Sequence, residues 1–187
     1  MESVTFTSQR DWQRWLTSEH ASSAGVWMRL AKQDSGVPSV TYDEAVEVAL
    51  CFGWIDGQKK AYDETYWLQR FTPRSSRSRW SKINREKAER LIVAKKMKAA
   101  GAREVERAKE DGRWDAAYDG QRTAAVPADL QRALARNKKA REFFATLDSA
   151  NRYAILYRVH DAKKPETRAR RIQTFVTMLS EGKKLHG

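Results

Sequence analysis

The stretch Thr41-Tyr42-Asp43-Glu44-Ala45-Val46-Glu47-Val48-Ala49-Leu50-Cys51-Phe52-Gly53-Trp54-Ile55-Asp56-Gly57 decides the fold class. It holds a helix start, an apolar stripe, a helix stop and a strand start in one short run. Thr41 with Glu44 three residues on is a capping box, in which each side chain serves the other's backbone amide. Val40 is placed to staple onto Ala45. Ala45, Val48, Ala49 and Phe52 recur at helical spacing and form the face to be buried. Gly53 stands where a helix ends in the left-handed conformation. Trp54–Lys59 and Tyr66–Phe71 then read as an antiparallel pair turning at Asp63-Glu64. Thr72-Pro73 closes the second strand, because proline cannot donate to a ladder.

On the N-terminal side, Ser8 is placed to cap a helix carrying Trp12, Trp15 and Leu16. Gly25 precedes a strand over Val26–Lys32, with Val26, Met28 and Leu30 on one face, and Asp34–Pro38 is a turn. On the C-terminal side the pattern is helical throughout. Asn84 is predicted to cap a helix burying Ala88, Leu91, Ile92 and Met97. A second helix runs from about Ala102 to Asp111 and is closed by Gly112. Residues 115–126 form a loop, and Pro127 takes a first helical position. Leu130, Leu134, Phe143, Phe144 and Leu147 face inward. Ser149 starts another helix, and the last follows Pro165 with Ile172, Phe175, Val176 and Leu179 as its stripe. The predicted fold is α+β: a small antiparallel sheet with flanking helices, followed by an all-helical C-terminal half. The expected division is a mixed sheet domain over residues 1–83 and a helical region over 84–187 packed on it, or else one compact unit.

Composition narrows the function classes. The 187 residues are 41% hydrophobic and 32% charged, with a net charge of +12. A single cysteine, Cys51, excludes an intramolecular disulfide framework and a multi-cysteine zinc site. Three scattered histidines argue against a His-rich metal site. No apolar run approaches the roughly 20 residues of a membrane span, and the first residues lack a secretory pattern. The expectation is a soluble cytoplasmic protein with no membrane span. Charge is uneven: residues 1–66 sum to −4, 67–113 to +9 and 114–187 to +7. An excess confined to the last two thirds points to an anionic partner, or else to a solvated basic face.

Four segments carry a family resemblance. They are Cys51–Gly57; Phe71-Thr72-Pro73-Arg74 with Trp80-Ser81-Lys82-Ile83-Asn84; Gly112–Tyr118; and Ala162–Ile172. In their order and spacing they resemble the YdeI/OmpD-associated family, also labelled bacteriocin-protection proteins. The resemblance implies a bacterial protein linked to stress and bacteriocin tolerance; it implies no reaction and no catalytic residues.

The residues themselves suggest a binding surface around the hairpin. Trp54, Asp56 and Lys59 open the first strand, and Arg70 and Arg74 leave the second. Arg79 and Trp80 then lead to the helix start at Asn84, where unpaired amides and the dipole favour anions. Arginines offer bidentate phosphate contacts, and Trp54 and Trp80 offer rings on which a base can stack. The alternative is that the tryptophans are core and the arginines solvated. Asp56 reads as an orienting group, a base, or a turn residue beside Gly57. Cys51, at a helix C-terminus, reads as a buried structural thiol, and His20 as the end of the first helix. Lys163, Lys164, Arg168 and Arg171 form a second basic patch. There Glu166 can pair with Arg170, and Arg168 and Arg171 can instead pair with the acidic N-terminal region. P-loop, dinucleotide, HExxH and Gly-x-Ser-x-Gly motifs are absent, and no cofactor is implied.

Two functions follow. The first is a non-enzymatic binding protein for an anionic ligand, with nucleic acid favoured. The alternative is a small-molecule enzyme or sensor using a Trp/Asp/Lys/Arg pocket for a phosphorylated or carboxylated ligand.

Overall fold

A computed structural model describes residues 2–121 and 123–186. The architecture is α+β as the pattern predicts, and the chain divides into two compact units, residues 1–117 and 118–187.

The first unit holds one sheet built from β1 (Val4–Thr5), β2 (Val26–Ala31), β3 (Trp54–Ala61) and β4 (Tyr66–Pro73), in the order β1-β2-β4-β3. The sheet is mixed, not purely antiparallel, because the short β1 adds in parallel to β2. Its helices are α1 (Gln9–Glu19), α2 (Tyr42–Cys51), α3 (Lys82–Val93) and α4 (Ala99–Glu110). The local signals explain most of the boundaries. Ser8 caps α1, and Thr41 with Glu44 forms the reciprocal capping box of α2. Val40 and Ala45 are both buried, in one cluster. Gly53 ends α2 at φ 74°, a conformation that a side chain disfavours. Asp63 holds the β3–β4 turn by accepting from the amides of Thr65 and Tyr66.

The cap of α3 differs from expectation. Ser81, not Asn84, caps α3, and its hydroxyl accepts from the Asn84 amide. Asn84 therefore sits inside the first turn. Helix α4 starts earlier than the pattern suggests, at Ala99, because the Lys98 amide donates to the Cys51 carbonyl and sets the chain against the end of α2. Lys87 of α3 reaches both Asp43 and Glu47 of α2.

The core of this unit joins Trp12, Leu16, Met28, Leu30 and Phe71 to Ala88, Leu91, Val105, Ala108 and Trp114. That shared core is why α3 and α4 belong with the sheet, and why the division falls after residue 117, not at residue 83.

The second unit contains α5 (Ala128–Ala135), α6 (Lys138–Thr146), α7 (Ser149–Asp161) and α8 (Pro165–Ser180). Helix α8 packs against the other three. Leu130, Leu134, Phe144, Ile155, Ile172, Phe175, Val176 and Leu179 fill its core, with Phe143 at the margin. Pro127 is the N-cap of α5, one residue earlier than expected. Asp148 caps α7, so Ser149 is its first residue.

Candidate functional site

The proposed hairpin surface is not assembled as the sequence suggested. Trp54 and Trp80 are each only 1% exposed. The Trp54 indole N–H donates to the His20 carbonyl at 3.1 Å, so its ring is a core wedge, not a stacking platform. Trp80 meets Trp114 edge-on with ring centroids 4.8 Å apart. Arg74 is buried beside it and donates to the Arg79 carbonyl at 3.1 Å. A guanidinium lying on a buried indole is a packing element here. Arg79 is exposed on the loop that wraps this cluster.

Asp56 and Lys59 serve the helical side of the sheet. Asp56 accepts from the Tyr42 hydroxyl at 2.7 Å, which ties the first turn of α2 to β3. Asp56 thus lies in a strand, not a turn, and forms no ion pair among the described residues. Lys59 lies 4.2 Å over the Trp67 ring, and Tyr42 packs on the same ring. A bulge at Gly57-Gln58 produces this arrangement. Asp56 pairs with Phe71 and Lys59 with Gln69, so Gly57 and Gln58 of β3 face the single Arg70 of β4 and one residue is extra. The bulge is pinned by the buried Gln69, whose amide donates to the Gly57 and Gln58 carbonyls. It restores Lys59 to the face of Asp56 and turns Lys60 to the other.

The opposite sheet face carries the cations. Arg29, Leu68 and Lys60 form one cross-strand row, and Trp27 with Arg70 forms the next. Lys60 lies 4.7 Å from the Trp27 ring centroid and Arg70 5.7 Å from it. Among the described residues neither Arg29, Lys60 nor Arg70 forms an ion pair, and the buried Nε of Arg29 has no hydrogen-bond acceptor. Of the nominated residues only Arg70 belongs to this face. Trp27, Arg29 and Lys60 were missed, although their alternation with Val26, Met28 and Leu30 already put the first two on the far side of β2.

The second patch is largely neutralised within its own unit. Arg168 forms a forked pair with Asp129 and also donates to the Val159 carbonyl. That guanidinium holds the Asp129 carboxyl below the usual carboxylate range, and its own pKa is raised in return. Arg171 reaches Asp161 and the Arg158 carbonyl. These partners take up both arginines within the second unit. Glu166 and Arg170 form no ion pair among the described residues. Lys163 and Lys164 remain exposed before α8.

Cys51 is buried, and that burial pushes its thiol up to about 11 against the pull of Lys98 and Lys96. It is an inert thiol at neutral pH. His20 ends α1, its ring Nδ1 2.8 Å from the Leu16 carbonyl. Among the described residues no group of three or more His, Cys, Asp or Glu could hold a metal ion, and no helix is long and apolar enough to cross a membrane.

Comparison with curated proteins and with solved structures gives no match. Two family models do match, on either side of the division between the units. Residues 123–182 match the model described as bacteriocin-protection, YdeI or OmpD-associated, the family that the sequence resembles. Only the last of the four resembling segments lies in that match, so the likeness covers the second unit and not nearly the whole chain. Residues 4–104, more than half of the chain and nearly all of the sheet unit, match the domain of unknown function DUF8412, and the chain belongs to that family.

Proposed function

We propose that the protein binds nucleic acid through the sheet face carrying Trp27, Arg29, Lys60 and Arg70, without catalysing a reaction on it. The observation that carries this reading is the absence, among the described residues, of carboxylate partners for those cations on a face where β2, β3 and β4 bring them together. An unpaired guanidinium with a buried nitrogen is unfavourable unless an anion completes it. Trp27 fixes Lys60 and Arg70 by cation–π contact and so reduces the entropy lost when they take up phosphates. With both cations against its ring, Trp27 is a scaffold for phosphate contacts, not a base platform. The expected specificity is therefore for the phosphate backbone and not for sequence.

Fluorescence anisotropy with labelled single- and double-stranded oligonucleotides at ~50 mM salt tests this. Binding should weaken steeply as salt rises. Each of Arg29→Ala, Lys60→Ala and Arg70→Ala should lower the salt slope by about one while leaving sequence preference flat. No measurable binding at low salt, or affinity unchanged in the triple variant, defeats the reading.

A further inference from the structure

A cleft of about 530 Å³ opens on the helical side of the first unit, between α1, α2 and the segment joining α3 to α4. Its apolar lining comes from Val48, Cys51, Phe52 and Leu91. Its cationic lining comes from Arg10 and Arg14 on α1 and from Lys95, Lys96 and Lys98 on the joining segment. The size is that of a small-molecule site.

The charges there are unbalanced. Arg14 pairs with Asp11, and the one lining carboxylate, Glu47, pairs with Lys87. Lys95, Lys96 and Lys98 form no ion pair among the described residues. The backbone holds these lysines in place. Lys95 adopts φ 55°, the left-handed region that favours glycine. It is fixed there by a closing motif in which the Lys95 amide donates to the Ile92 carbonyl and the Lys96 amide to the Leu91 carbonyl, each at 2.9 Å. The Lys98 amide is held by the Cys51 carbonyl at 3.1 Å. Lysines near the ends of α2 and α3 also suit those helix dipoles, but the dipole gives no reason for them to border an apolar hollow.

We propose that this cleft binds a small organic phosphate monoester, its dianionic head held by Lys95, Lys96 and Lys98 and its apolar body laid on Phe52 and Leu91. Two charges on one head match several unpaired lysines. The apolar floor gives the rest of the molecule a place that water would otherwise fill. The site is lined by none of the residues that carry the nucleic-acid reading, and it stands or falls separately.

Calorimetric titration of the full chain with phenyl phosphate, inorganic phosphate and benzyl alcohol tests the assignment. Phenyl phosphate should bind at least about tenfold more tightly than inorganic phosphate, as burial of one ring predicts, and than benzyl alcohol, which lacks the dianionic head. The triple variant Lys95→Ala, Lys96→Ala, Lys98→Ala should lose at least about tenfold in that affinity. The variant Lys60→Ala, Arg70→Ala should retain it. The proposal is overturned by absence of phenyl phosphate binding, by affinity for either of the other two probes equal to that for phenyl phosphate, or by unchanged affinity in the lysine variant. If the double variant on the sheet loses phenyl phosphate as well, the anion is held elsewhere and the cleft assignment is again wrong.

Discussion

The guanidinium carbon of Arg74 lies 3.6 Å from the centroid of the Trp80 ring, and both side chains are buried. Two residues that look like a phosphate clamp and a base platform in sequence are thus one packing unit beneath the loop after β4. Removing Trp80 leaves a large cavity beside Trp114, so Trp80→Ala should cost about 3–5 kcal/mol. Arg74→Lys should also destabilise, because an ammonium cannot lie flat on an indole. Urea unfolding followed by far-UV dichroism checks both. A variant that keeps its unfolding midpoint but loses oligonucleotide binding would return these residues to a surface role.

Gly101 carries a sharper prediction because two effects oppose each other. It lies within α4, where alanine is favoured over glycine by roughly 1 kcal/mol. A Cβ there would come within 2.4 Å of the Cys51 carbonyl oxygen and the Met97 sulfur, and within 2.5 Å of the Leu50 carbonyl oxygen. Two of those atoms are backbone at the end of α2 and cannot swing aside. Overpacking of this kind costs about 1–3 kcal/mol, so Gly101→Ala should destabilise in spite of its helix propensity. Thermal unfolding decides the sign; a raised melting temperature would mean that α4 slides freely along α2.

Helix caps and apolar stripes were legible in the sequence because their causes are local. Thr41 with Glu44, Ser8, Gly53 and the Ile172–Leu179 stripe depend on spacing alone. The hairpin was legible too, but its bulge was not. Gly57 hinted at irregularity, whereas the device that fixes it is the Gln69 side chain on the neighbouring strand. That one extra residue decides which lysine faces which side of the sheet, so the candidate site went astray with it. Burial of Trp54 and Trp80 was likewise undecidable locally: a tryptophan near arginines has the same neighbours in sequence whether it packs inward or outward. The cleft lysines were overlooked because the predicted helix runs on to a buried Met97 and so passes straight through Lys95 and Lys96, where the structure ends α3 at Val93. Their relation to Phe52 exists only after α1, α2 and α3 have packed.

Arg168 should matter for the second unit more than a surface arginine does. It joins the start of α5, through Asp129, to the last turn of α7, through the Val159 carbonyl. Both charged groups are partly exposed, so solvent screening reduces the gain. Arg168→Ala is expected to cost about 1 kcal/mol. The depressed Asp129 pKa fixes the acid dependence: its stabilisation is present above the ordinary 3.8 and is lost as pH falls through the lower folded value. The Arg168→Ala chain should lose less stability than the unaltered one between pH 5 and pH 2. Identical losses over that range would remove the pair from the acid response.

Alkaline pH acts with the opposite sign. Burial raises Cys51 from 9.0 to about 11 and Tyr153 from 10.0 to about 12. Both groups stay protonated longer in the folded chain than in the unfolded one, so their contribution is complete below pH 9 and declines as pH rises through the folded values. Denaturant midpoints should fall between pH 9 and pH 11, and Cys51→Ser should reduce the fall at its lower end. Rapid stoichiometric alkylation of Cys51 in the folded chain at pH 7 would contradict the burial that underlies this.

Lys95 is where stability and binding should part. A non-glycine residue in the left-handed region costs about 1–2 kcal/mol, while glycine there adds roughly 0.5–1 kcal/mol of unfolded-chain entropy to be lost. Lys95→Gly should therefore stabilise the chain by up to about 1 kcal/mol, with the Leu91 and Ile92 carbonyls still capped. Lys95→Ala keeps the strained φ and should leave stability nearly unchanged. Both remove the same ammonium, so both should weaken phenyl phosphate equally if the cleft site is real. Urea midpoints and calorimetric affinities on the two variants separate the backbone from the charge. A stabilised Lys95→Gly chain with undiminished affinity would mean that the left-handed lysine serves the end of α3 and has no part in holding an anion.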